Sequence, residues 1–115
     1  MDTKASIEME KAAQILKLFG DKTRLSMMKF LQTNECCVSE LAEIYKASQP
    51  AISQNLRKLK DIGLVKEKRK GQWIFYSINQ THEHYDFLAR ILDSLPTQDD
   101  HLIELEREGL RISCC

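Results

Sequence analysis

Four cysteines occur as two vicinal pairs, Cys36-Cys37 and Cys114-Cys115. Thiolates hold soft ions and enter redox chemistry, whereas lysine, serine or carboxylate would select harder ions. A helix is expected to begin at Cys36-Cys37, where unpaired N–H groups and the helix dipole favour the thiolate. A second reactive set is polar and basic: Gln49, Ser53, Gln54, Arg57 and Lys58, followed by Lys68-Arg69-Lys70. Glutamine can bond an adenine edge twice, serine meets purine or pyrimidine groups, and arginine or lysine meets guanine or phosphate. Covalent catalysis has no matching pattern. There is no Cys-x-x-Cys, no nucleophile elbow, no glycine-rich phosphate loop and no histidine close to the cysteines in sequence. The chain reads as a binding protein and not an enzyme.

These groups must be positioned by 115 residues, enough for one domain with one modest core. Apolar residues make up 43% and charged residues 30%, a globular mixture. The longest unbroken apolar run is the four residues Trp73 to Tyr76. No membrane helix or signal-peptide core is therefore expected, and the cytoplasm is the expected compartment, where thiols stay reduced. The 17 basic and 17 acidic residues cancel, a total that argues against a polyanionic partner until charge is mapped along the chain. From Lys46 to Gly71 there are eight Lys/Arg against Asp61 and Glu67, a local balance of +6. After Ser77, eight acids face three arginines. Only the local field attracts a phosphate backbone.

Apolar positions Met9, Ala12, Leu16 and Phe19 have helical spacing that stops at Gly20. Asp21 is suited to cap a second helix through Leu25, Met28 and Leu31. A third, short helix is expected over about 38–45 and a tight turn at Lys46-Ala47-Ser48. A fourth helix begins near Gln49, with Pro50 tolerated in its first turn, the stripe Ile52, Leu56, Leu59, and an end at Gly63. The period then changes to that of strands over 64–70 and 72–78, joined at Lys70-Gly71-Gln72 as a hairpin. A fifth helix carries Phe87, Leu88, Ile91, Leu92 and Leu95 up to Pro96, and Thr97 caps a last helix fading after Gly109.

Two short helices joined by a tight turn and followed by a basic hairpin describe an α/β, mainly α, winged helix-turn-helix of five to six helices and a two-stranded wing. The second helix of the pair fits a major groove about 12 Å wide. Its core stripe leaves Ser53, Gln54, Arg57 and Lys58 off the buried face, with Ser48 and Gln49 at the N-terminal end. Each such residue alone suits a solvated helix face equally well. Their combination with a basic hairpin favours double-stranded DNA as the partner.

Three stretches then carry a family resemblance: Gly20-Asp21-Lys22-Thr23-Arg24-Leu25, Ser48-Gln49-Pro50-Ala51-Ile52-Ser53-Gln54-Asn55-Leu56, and Gly71-Gln72-Trp73-Ile74-Phe75-Tyr76-Ser77-Ile78. The chain resembles the ArsR/SmtB family of bacterial repressors over about residues 10–95, most specifically at Ser48-Gln49-Pro50-Ala51. The resemblance implies one domain over 1–115, with its core at about 10–95 and a C-terminal helix and Cys-Cys tail at about 97–115. It further implies a homodimer through the first and fifth helices, repressing a resistance or efflux operon until an effector releases it. The apolar faces of those two helices exceed what so short a chain easily buries, which suits a dimer independently.

The family's soft-metal sensors carry Glu-Leu-Cys-Val-Cys-Asp-Leu where this chain has Glu35-Cys36-Cys37-Val38-Ser39-Glu40-Leu41. Cys37 matches the first family cysteine, Ser39 replaces the second, and Cys36 takes the place of the leucine. A three-coordinate arsenic(III) or antimony(III) site takes three thiolates, so Cys114 or Cys115 is needed beside Cys36 and Cys37, in the same subunit or across the dimer. Cadmium or lead with four thiolates would use both pairs. A disulfide or persulfide switch through the same cysteines is a further alternative. Relatives of that kind carry cysteines in the second helix and late in the fifth, where this chain has Met27-Met28 and the stretch ending at Leu95. The bland reading is a buried small hydrophobe at Cys36-Cys37 and an inert tail at Cys114-Cys115. The family's zinc pattern is broken, since Gln80 and Pro96 occupy ligand positions and leave His82 with Asp93. No constitutive cofactor is implied.

Overall fold

The computed structural model describes residues 7–96. The last expected helix and the pair Cys114-Cys115 lie outside them. Five helices and three strands follow in the order α1 (Met9–Phe19), α2 (Lys22–Leu31), β1 (Cys36–Cys37), α3 (Val38–Tyr45), α4 (Gln49–Asp61), β2 (Val65–Lys70), β3 (Trp73–Ile78) and α5 (Tyr85–Asp93).

Local chemistry sets the boundaries. The Asp21 carboxylate accepts the Thr23 N–H at 2.9 Å and so caps α2. Lys46 closes α3 in the left-handed region at φ 51°, and the Ala47 N–H returns to the Ala42 carbonyl at 3.0 Å. The Ser48 hydroxyl then accepts the Ala51 N–H at 3.2 Å to start α4. This turn sets the angle between α3 and α4. Gly71, at φ 63°, makes the hairpin turn.

One core receives all five helices. Ile52, Leu56 and Leu59 of α4 are buried beside Met27, Met28, Phe30 and Leu31 of α2, Leu41 of α3, and Leu88 and Leu92 of α5. Each such side chain contributes about 2 kcal/mol on leaving water. The α4 stripe is the one expected from its spacing. On α1 the stripe is rotated: Ile15 and Phe19 are buried, whereas Met9 and Leu16 are 83% and 51% exposed.

The wing differs from a free hairpin. Its sheet has three strands in the order β1-β3-β2, because Cys36 pairs with Tyr76 and Cys37 with Phe75. Two residues are too few to show a period-2 pattern, so this strand leaves no signal of its own. The fifth helix ends at Asp93, and the Ser94 hydroxyl donates to the Ile91 carbonyl at 2.7 Å.

Candidate nucleic-acid interface

Packing of the Ile52, Leu56, Leu59 stripe turns the rest of α4 outward. Gln49, Ser53, Gln54, Arg57 and Lys58 are all exposed. Ser48 is also exposed, though its hydroxyl is committed to capping. Between α4 and the wing lies an open cleft of about 430 Å³ lined by Ser53, Arg57, Lys60, Asp61, Glu67 and Tyr76. Four of these, Lys60, Asp61, Glu67 and Tyr76, were not among the expected site residues. Lys60 is ion-paired with Glu67, and the Tyr76 hydroxyl donates to the other Glu67 oxygen at 3.1 Å. The Lys60 ammonium, assisted by Tyr76, holds the Glu67 carboxyl below its usual range. Burial and Glu67 together push the Tyr76 hydroxyl up. The missed signal was the hairpin register, which turns Glu67 and Tyr76 to the same face as neighbours.

The same register divides the basic tip. Lys68 lies opposite Phe75, Arg69 opposite Ile74, and Lys70 opposite Trp73. Alternation therefore sends Arg69 to the face of Glu67 and Tyr76, and Lys68 and Lys70 to the other. Lys70 is engaged there already. Its ammonium donates to Glu35 at 2.7 Å and lies 5.0 Å from the centre of the Phe75 ring. That hydrogen bond, reinforced by the charges of Lys70, Lys68 and Lys66, lowers the Glu35 carboxyl below its usual range.

The cysteines are parted in the same way. Cys36 is 0% exposed, inside the main core. Cys37 joins a separate small cluster with Phe75 and Trp73. It caps α3, its N–H donates to Glu40 at 3.2 Å, and its Sγ is 3.2 Å from the Ser39 hydroxyl. Cys37 is also disulfide-bonded. The vicinal pair expected to act together thus points to opposite faces of one strand. Among the described residues, no group of three or more His, Cys, Asp or Glu is placed to hold a metal ion. His82 has both ring nitrogens occupied: Nε2–H donates to the Ile62 carbonyl at 3.1 Å, and Nδ1 accepts the His84 N–H at 3.0 Å. Asp93 accepts from the Gln32 side chain at 2.9 Å.

The model of the bacterial regulatory protein arsR family matches residues 21–67, which span α2 through the first half of β2. An uncharacterized HTH-type transcriptional regulator of Methanocaldococcus jannaschii is 47% identical over 60% of this chain and 79% of its own length. The chain belongs to the ArsR family. An arsenical resistance operon repressor of Staphylococcus xylosus is 34% identical over 74% of this chain and 80% of its own. A homodimeric winged helix-turn-helix DNA-binding domain of Mycobacterium bovis shares the fold at TM-score 0.60, with 23% identity, over 86% of this chain and 80% of that one. As an ArsR-family protein, the chain is a winged-helix, DNA-binding transcriptional regulator and not an enzyme. No helix among the described residues is long and apolar enough to cross a membrane.

Proposed function

We propose that this regulator is a cytoplasmic homodimeric repressor that, with its cysteines reduced, leaves its operator when arsenite or antimonite is taken by the thiolates of Cys37, Cys114 and Cys115. One observation carries the choice of sulfurs: Cys37 lies on the wing face with Phe75 and Trp73, while Cys36 lies in the core. Three sulfurs suit a three-coordinate metalloid. A four-thiolate cadmium or lead site would have to draw Cys36 out of a packed interior, which costs the burial of that side chain. The arsenical resistance repressor of S. xylosus supports the same effector class. In this reading Gln49, Ser53, Gln54, Arg57 and Lys58 meet the major groove, with Ser48 at the helix start, and Lys68, Arg69 and Lys70 lie along the adjacent backbone. The exposed Met9 and Leu16 of α1 supply apolar surface for a dimer through α1 and α5. An effector favouring the DNA-free form by about 3 kcal/mol weakens operator affinity roughly a hundredfold.

The test is fluorescence anisotropy of the reduced protein on operator DNA, titrated in parallel with arsenite, cadmium, zinc and a persulfide donor. Arsenite should release the DNA, and the variant with all four cysteines changed to serine should stay bound. Release of that variant by arsenite refutes the reading. A second reading, a redox-switched repressor, is favoured by the disulfide-bonded state of Cys37. It requires release by the persulfide donor and none by arsenite.

A further inference from the structure

Arg24 makes contacts that neither groove reading nor effector capture uses. Its side chain is 14% exposed, and its guanidinium joins three elements. Nε donates to the Leu18 carbonyl in the last turn of α1 at 2.9 Å. Nη1 donates to Asn55 Oδ1 in the middle of α4 at 3.1 Å. The same nitrogen lies 3.4 Å from Asp21 Oδ2, the carboxylate that caps α2. A planar fork with fixed donor directions holds these acceptors at set angles, which a single flexible ammonium cannot do.

We infer that Arg24 is a positioning residue that sets the angle of α4 relative to α1, and through it the spacing of the two reading helices in the dimer. This rests on the dimer reading above. The outer side of α1 carries the exposed Met9 and Leu16, while its C-terminal end is tied to α4 through Arg24. A partner docked on α1 therefore inherits an α4 direction fixed by this tie. Two reading helices must enter the major groove about 34 Å apart, one turn of DNA, so a small rotation at the tie misplaces one of them. Contact with one half-site needs no such agreement. Arg24 and Asn55 thus govern the gain from binding two half-sites together.

The experiment compares two duplexes, a palindromic site selected by the wild-type protein from a random pool and a version with one half-site scrambled. Arg24→Lys and Asn55→Ala should each lose about tenfold in affinity for the palindrome and less than twofold for the half-site. Asn55→Asp keeps an acceptor for Arg24 and should retain the wild-type ratio between the two duplexes. Equal losses on both duplexes, or no loss on either, overturn the inference and leave Arg24 a stabilising contact, with thermal unfolding reporting that role. Wild-type protein showing no preference for the palindrome overturns the dimer reading and this inference together. A wild-type preference that the variants keep overturns the inference alone.

Discussion

The two faces of the wing sheet are built from alternate residues of the same strands, yet they do different work. One face begins at Cys36, closes on the core, and carries Glu67, Arg69 and Tyr76 toward α4. The other begins at Cys37 and carries Phe75, Trp73, Lys68 and Lys70, with Glu35 held by Lys70. Neighbours in sequence are therefore strangers in space. In an extended strand, adjacency guarantees opposite surroundings. In the proposed reading Cys36 serves stability and Cys37 serves response.

The sharpest break of this comparison exchanges each cysteine in turn. Cys37→Ser should abolish arsenite-driven release while operator affinity stays within about twofold, because no groove-reading side chain depends on it. Cys36→Ser should do the reverse. It places a hydroxyl in the apolar main core, and should lower stability by about 1–3 kcal/mol with the arsenite response retained. Urea unfolding separates the two. Loss of response in both variants would restore the vicinal pair as one site.

Tyr45 extends the contrast into pH. Its hydroxyl bonds the Ser26 hydroxyl at 2.8 Å and lies within the field of Cys36. Burial, opposed by the Ser26 hydrogen bond, pushes it up to about 12 from 10.0. A phenol whose folded value exceeds its unfolded value keeps its proton longer in the folded state. Its contribution is thus complete below pH 10 and is lost as pH rises from 10 toward about 12. Wild-type stability should fall in that window, and Tyr45→Phe should flatten the fall while losing the Ser26 bond at every pH. A slope unchanged by the substitution would assign the alkaline loss to other groups.

Much of this arrangement was legible beforehand, and the misses share a cause. Asp21 as a cap, the α4 stripe, the Lys46-Ala47-Ser48 turn and the Gly71 hairpin all follow from local rules that act within four residues. What was hidden depended on pairing between distant segments. That Cys36 and Cys37 form a strand at all is decided by Tyr76 and Phe75, about 40 residues away in the chain. The same pairing brings Glu35 to Lys70 and parts Arg69 from its neighbours. Likewise, nothing near Arg24 announces Asn55, since the bond between them spans 31 positions. The rotation of α1, which leaves Met9 and Leu16 outside, reflects which of two helical stripes meets the α2 surface.

The smallest expected effects lie at the wing tip, where in the proposed reading the two faces compete for phosphate. Arg69 lies on the face turned toward α4, and among the described residues its Nε donates to the Gly71 carbonyl at 3.2 Å. Lys70 must first give up Glu35 and the Phe75 ring. Arg69→Ala should therefore weaken all operators more than Lys70→Ala, by a margin of about threefold. Glu35→Gln should raise affinity by a similar factor and steepen the salt dependence, since Lys70 is then free for the backbone. Acid should mimic that change. The folded Glu35 carboxyl sits below its usual range because of Lys70, so the ion pair is complete above the ordinary carboxylate value and is lost as pH falls through the lowered one. Between those two values the wild type and Glu35→Gln should still differ in affinity, and below the lower one they should converge. Convergence already at the ordinary carboxylate value would mean that Lys70 does not hold Glu35 in solution. In that case both lysines of this face would meet DNA on the same terms as Arg69.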